Sequence, residues 1–137
     1  AGADVIRPFT SEYTARGDFA SNAKQQRWQR IVVEAAEQSG RLWVPVIEPP
    51  ATLDALLARP RGPVVLGDPA GMSWREAAAL LAPAGQIAVV VGPEGGFSPA
   101  ELARAKAAGA LATRFGPHIL RTETAAVVAT ALVRSSG

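Results

Sequence analysis

The chain contains no cysteine and a single histidine among its 137 residues. The first absence removes disulfides, thiol catalysis and cysteine-ligated metal, and it fits a cytosolic protein. The second leaves too few imidazoles for a histidine metal site, so no metal is expected. Long apolar runs are missing as well: nothing approaches a membrane span, and no signal-peptide pattern opens the chain. Lysine is scarce, and twelve of the fourteen basic residues are arginine. That bias suits contact with RNA; together with the abundant alanine it equally suits a GC-rich genome. A formal net charge of +2 is too small to announce nucleic acid by itself. The chain opens Ala1-Gly2-Ala3-Asp4 without a methionine, which reads as a fragment of a longer protein.

What is present is a globular composition. Apolar residues make up 48% and charged residues 19%, and the length allows one domain with a real core. The most informative stretch begins at Ile87. Five apolar residues, Ile87 to Val91, are too few for a helix and too apolar for an exposed strand, as expected of a buried parallel strand. Gly92-Pro93-Glu94-Gly95-Gly96 cannot continue a ladder. Ser98-Pro99-Ala100-Glu101 then forms a capping box with proline at the first helical position. In an open α/β sheet ligands bind beyond the carboxyl end of such a strand.

The rest of the chain supplies the sheet. Asp4 to Phe9 reads as a short strand, with Pro8 at its end or on an edge. A long amphipathic helix starts at Ser21 or Asn22, repeats apolar residues at Trp28, Ile31, Val32, Ala35 and Ala36, and stops at Gly40. Trp43 to Ile47 is extended, and Thr52 to Ala58 is a brief helix ended by Pro60. A strand–loop–helix rhythm then repeats. Its strands are Pro63–Gly67, Ile87–Val91 and Ala110–Phe115. Its loops are Asp68–Met72, Gly92–Ser98 and Gly116–Arg121. Its helices run from Ser73 to about Ala82, from Pro99 to about Ala108 and from Thr122 to about Arg134. Such a series predicts an α/β fold with a parallel sheet covered on both faces. All its loops leave at one edge and can converge on one pocket. None is a phosphate cradle: the glycine loop lacks the dinucleotide fingerprint and the lysine and hydroxyl of a P-loop. Glu94 suits a positive or neutral ligand. Taken singly, these features read equally as turn glycines and helix-start carboxylates that complement the dipole.

Three blocks carry a resemblance: Arg27-Trp28-Gln29-Arg30-Ile31 onward to Arg41, Val91 to Ser98, and Ile119-Leu120-Arg121-Thr122-Glu123-Thr124-Ala125. In order and spacing they resemble the signature blocks of the RsmE-type 16S ribosomal RNA uridine-N3 methyltransferases, in the SPOUT superfamily. The resemblance implies S-adenosylmethionine as cofactor, the small ribosomal subunit as substrate, an obligate cytoplasmic homodimer and a deep trefoil knot at the C-terminus. It further implies that residues 1–137 are the catalytic domain, without a PUA-like RNA-binding domain and the first strand and helix that precede this region in the family.

Under that resemblance, main chain at Leu66, Gly67, Gly92, Pro93, Glu94, Gly95, Gly96 and Gly116 to Leu120 would hold the adenine and ribose. Leu66, Ile119 and Leu120 would supply apolar walls, and Arg121, Thr122, Glu123, Thr124 and Ala125 the closing turn of the knot. Glu123 reads equally as a helix cap. Methylating N3 requires a base, or a cation that stabilises the uridylate. The cations are Arg41 and Arg121, and the carboxylates Glu37, Glu94 and Glu123. Glu34, Glu37, Gln38 and Arg41 share one helix face, which otherwise reads as a solvated stripe. His118 reads as a loop residue and not the base. Arg7, Arg16, Lys24, Arg27 and Arg30, with Arg41, make a candidate RNA edge. Two other readings stand beside this one. One is a SPOUT enzyme acting on ribose hydroxyls, whose Ser-Leu-Asn-type motif is missing here; the other is a non-catalytic RNA- or nucleotide-binding module.

Overall fold

Val64, Val65 and Leu66 lie at the centre of the molecule, all buried, with Val65 completely inaccessible. Successive strand side chains point to opposite faces, so burial of all three means that both faces of the strand are covered. The computed structural model describes residues 3–13, 22–38, 40, 45–60, 62–81, 85–117 and 120–136, with the backbone alone at 22–25, 123, 135 and 136. Within it these residues open strand β5 (Val64–Ser73), which pairs in parallel with β6 (Ala88–Val90) on one side and β7 (Leu111–Arg114) on the other. The register sets Leu66 between Val90 and Ala112.

Ahead of this sheet, β1 (Val5–Ile6) pairs in parallel with β3 (Val46–Ile47), and β2 (Phe9–Thr10) with β4 (Ala51–Thr52). The two ladders differ in register by one residue. The step falls between Arg7-Pro8 and Glu48-Pro49-Pro50, where the prolines have no N–H to give. The amides of Val46, Glu48 and Ala51 donate instead to the carbonyls of Asp4, Ile6 and Pro8, at 3.0, 2.9 and 3.1 Å.

The helices follow from local signals. Helix α1 spans Asn22–Gln38 and α2 Leu53–Ala58, the latter capped by the Thr52 hydroxyl, which accepts from the Ala55 amide at 3.1 Å. Helix α3 (Trp74–Leu81) starts at a reciprocal box in which Ser73 N–H donates to Glu76 and Glu76 N–H to the Ser73 hydroxyl. The predicted capping box of α4 (Pro99–Ala107) is present, and Gly109 follows at φ +95°, where a side chain would be strained. Helix α5 runs from Thr122 to Ser136. Leu53 and Leu57 of α2, Ala105 of α4, Ala110 and the β-strand residues Val64, Leu66 and Val90 form one buried cluster. Phe9, Phe97 and Leu102 pack against it.

The strand–loop–helix series thus stands as expected, with one correction. Asp68–Met72 does not end the first strand. Thr113 pairs with both Gly67 and Met72, so residues 68–71 are looped out and the strand resumes through Ser73. The Arg114 guanidinium holds the return by donating to Gly71 O at 2.8 Å, and Asp68 Oδ1 accepts from Ala70 N at 3.0 Å. Trp43 lies outside the described residues.

Candidate functional site

The parallel sheet ends at an edge where the looped-out turn of β5 meets the glycine loop after β6. Between them is a cavity of about 300 Å³ lined by Gly67, Asp68, Pro69, Glu94, Gly95, Gly96, Phe97 and Leu102. The glycine loop is a tight turn, closed by Gly96 N–H donating to Pro93 O at 2.8 Å, with Gly96 at φ +74°. Gly92 is required for another reason: a Cβ there would meet the Phe97 ring at 2.9 Å. Three of the cavity's described lining residues are glycines, which offer main chain alone, and the charged side chains among the described lining residues are the carboxylates of Asp68 and Glu94. A larger groove of about 820 Å³ lies elsewhere, along the Gln86–Val90 edge. The smaller cavity is the better candidate for chemistry, since it sits at the carboxyl ends of parallel strands.

The third loop reaches this place indirectly. Thr122 Oγ1 at the start of α5 donates to Gly92 O at 3.1 Å, and the Phe115 ring lies where a Cβ on Gly67 would come within 3.1 Å of it. Of the three loops expected to converge, the first two line the cavity; of the third, Gly116–Arg121, no described residue lines it, and the flanking Phe115 and Thr122 reach Gly67 and Gly92.

Among the residues singled out in the sequence, Gly67, Glu94, Gly95 and Gly96 line the cavity, while Gly92 and Pro93 shape the turn beside it. Leu66 is not among the described lining residues. It is 1% exposed and belongs to the core cluster behind the cavity, because β-strand alternation turns it inward. Gly116, Leu120, Arg121, Thr124 and Ala125 fall outside the lining. Arg121 is exposed, and its carbonyl accepts from Ala125 N at 2.7 Å in the first turn of α5. Glu34 and Glu37 are exposed on α1, none of whose described side chains lines either cavity. Arg7 is half-buried and committed to Glu48 across the β1–β3 pair, its Nε donating to Oε2 at 2.6 Å. Arg27 and Arg30 are exposed on α1. Arg16, Arg41, His118 and Ile119, with the side chains of Lys24 and Glu123, lie outside the described residues.

Some lining residues carried little signal in the sequence. Asp68 and Pro69 could be read only as loop; Phe97 and Leu102 reach the cavity because α4 starts directly beneath it. Glu101 was legible as a cap and does more. It is 3% exposed, and one oxygen accepts from Ser98 N at 3.0 Å while the other accepts from Glu12 N at 3.0 Å. Replacing Glu101 by alanine takes the acceptor from two amides, that of Ser98 in a buried place and that of Glu12 in a partly buried one. A loss of about 2–3 kcal/mol is expected in urea denaturation, and about half of that for Glu101→Gln, which keeps one acceptor. Equal stability of Glu101→Ala and the parent would show that the N-terminal segment is not fastened there.

Residues 1–134 match the family model described as an RNA methyltransferase domain. The chain belongs to that family. Its relatives include the ribosomal RNA small subunit methyltransferase E of Mycobacterium bovis, 41% identical over 136 residues, covering 94% of this chain and 52% of the relative. The protein of the same name from Synechocystis is 35% identical over 142 residues, covering 98% of this chain and 45% of the relative. This RNA methyltransferase domain therefore spans about half the length of the curated relatives it matches. Among solved structures it superposes on the small subunit methyltransferase E of Neisseria gonorrhoeae bound to S-adenosyl methionine. There the TM-score is 0.81 and the identity 35%, covering 97% of this chain and 56% of the other. A methyltransferase from Legionella pneumophila, in complex with the same cofactor, superposes with a TM-score of 0.82 at 31% identity, covering 97% of this chain and 55% of that one.

Proposed function

We propose that this domain binds S-adenosylmethionine in the cavity between the β5 turn and the glycine loop and methylates N3 of a uridine in small-subunit ribosomal RNA. The observation that carries the reading is the wall itself: main chain at Gly67 and Gly95-Gly96 with the carboxylates of Asp68 and Glu94, and no arginine or lysine among the described lining residues. Such a wall suits a cationic ligand and would repel a phosphate. Its volume of about 300 Å³ matches the small end of ligand sites. S-adenosylmethionine supplies an electrophilic methyl group on a positively charged sulfur. The chain's part is to fix the geometry. The turn closed at Pro93–Gly96 sets Glu94 and Gly95 on the cavity lining, and the Thr122–Gly92 bond keeps the α5 terminus against it.

The uridine N3 proton has to leave, and the candidates for helping it are Glu94 on the lining and Glu37 on α1. Arg121 and Arg41 cannot act as bases but stabilise a uridylate; Arg121 immediately precedes the hydroxyl that holds Gly92. Arg27 and Arg30 on α1 supply phosphate contacts. The third loop's ties, Thr122 to Gly92 and Phe115 over Gly67, support threading of the C-terminal segment as a trefoil knot of the SPOUT kind. The reading includes a cytoplasmic homodimer, for which Val127 on α5 offers exposed apolar surface. Among the described residues no helix is long and apolar enough to cross a membrane.

The same reading gives the domain one more parallel strand and a helix, with a PUA-like RNA-binding domain ahead of them. The larger groove supports the strand. Among the described residues β6 pairs only with β5 and β1 only with β3. Their other edges face the groove, with Trp74 and Leu81 of α3 and Val133 of α5 also lining it. The groove runs along the Gln86–Val90 edge, where an added strand would pair.

Calorimetry with S-adenosylmethionine tests the cofactor, and mass mapping of methylated small-subunit RNA tests the position. Binding in the micromolar range with a methyl on uridine N3 is expected. A methyl on ribose would move the domain to the other class of SPOUT activity. The absence of binding at millimolar cofactor would remove the reading.

A further inference from the structure

Tyr13 stands outside the cavity wall with its side chain largely open. It is 48% exposed, whereas Phe9 and Phe97 stack in the interior with centroids 6.3 Å apart and planes at 9°. Its backbone is nevertheless fastened. The Glu12 amide donates to Glu101, itself almost wholly buried, so the residue before the tyrosine is tied to the first turn of α4. Against the tyrosine lies Gly95, where a Cβ would come within 3.1 Å of Tyr13 Cβ and 3.6 Å of its Cγ. The missing side chain at 95 is what lets the stem of the tyrosine lie along the loop. Gly95 also lines the cavity. The stem of Tyr13 therefore lies against a lining residue of the candidate site, with its ring largely open to solvent.

The cavity is small enough that one cofactor-sized ligand fills it, so a base must be presented from the rim. A base drawn out of single-stranded RNA loses its stacking partners, and aromatic side chains replace them because every base offers a π face. We propose that Tyr13 is a substrate-stacking residue that holds the base to be methylated over the mouth of the cavity. The inference rests on the methyltransferase reading above. Its chemistry lies in the ring: the phenol oxygen has no assigned task.

The test compares the parent domain with Tyr13→Phe and Tyr13→Ala in two measurements. One is S-adenosylmethionine affinity by calorimetry; the other is anisotropy of a labelled, short, uridine-containing RNA with S-adenosylhomocysteine at saturation. Tyr13→Ala is expected to weaken RNA binding about tenfold and Tyr13→Phe by less than about twofold, with cofactor affinity equal in all the proteins. RNA binding by Tyr13→Ala at the parent's strength overturns the stacking role, as does a Tyr13→Phe loss as large as that of alanine. Loss of cofactor affinity in Tyr13→Ala makes the residue a cofactor wall and overturns it too. A parent that binds cofactor and no RNA overturns this inference alone. A parent that binds no cofactor removes the methyltransferase reading and this inference with it.

Discussion

Gly71→Val severely destabilises the domain. Gly71 is the last residue of the turn looped out of β5, at the point where the strand comes back against β7. A Cβ there would lie 2.5 Å from the carbonyl carbon and oxygen of Ala112 and 2.6 Å from the Thr113 amide nitrogen. These are main-chain atoms of a paired strand, so no rotamer change relieves the overlap. Either β7 moves away from β5 or the turn is extruded, and both undo the ladder that buries Val65 and Leu66. A loss above about 4 kcal/mol is expected, against the 5–15 kcal/mol that holds a typical domain together. Far-UV dichroism and urea titration read it directly. Gly85→Ala is the control: its Cβ meets nothing within 4 Å and its φ is not positive. It should leave stability unchanged or raise it by about 0.5 kcal/mol. A Gly71→Val protein with a parental urea midpoint would mean that the strand does not return at Met72.

The contrast between those two glycines shows what the sequence could and could not convey. Strands β5, β6 and β7 were legible because each is a short apolar run followed by turn residues and a capped helix, and burial on both faces asks for no alternation. The capping box at Ser98 was legible for the same local reason. The looped-out turn was not. Asp68-Pro69-Ala70-Gly71 carries the composition of a strand-ending loop, and the return to the ladder depends on the backbone of Ala112, some forty positions along the chain. Strand order was equally hidden, since β6 and β7 flank β5 through connections whose lengths would allow either neighbour. At the site, the glycine loop announced itself, while its partners did not. Thr122 reads as the start of a helix, and only packing puts its hydroxyl on Gly92 O. Arg7 reads as a phosphate contact in a basic stretch, and only tertiary packing reveals its ion pair with Glu48. Leu66 looked like a wall residue because it precedes Gly67, but strand alternation separates the two: Gly67 lines the cavity and Leu66 the core.

Gly95→Val removes S-adenosylmethionine binding while the domain stays folded. The backbone at 95 has no positive φ, so a side chain is not excluded there on that ground. Space is what it lacks. Gly95 is bounded on one side by Tyr13, where the first added carbon already stands 3.1 Å from Tyr13 Cβ, and on the other by a cavity of about 300 Å³. A branched side chain must push the tyrosine stem away or enter the cavity. Tyr13 is held through the Glu12–Glu101 bond, which resists the first course, so the methyl groups take up ligand volume. Cofactor affinity should fall by more than about 100-fold, or about 2.7 kcal/mol. Urea stability should change by less than about 1.5 kcal/mol, because the open cavity takes the added carbons without displacing the core. Gly95→Ala separates the two directions. Its single carbon requires Tyr13 to give by a few tenths of an ångström and places nothing deep in the cavity, so cofactor binding should weaken only a few-fold. Parental affinity in Gly95→Val would remove the glycine loop from the site. Loss of folding in the valine variant together with intact binding in Gly95→Ala would assign Gly95 to holding Tyr13 rather than to lining the pocket.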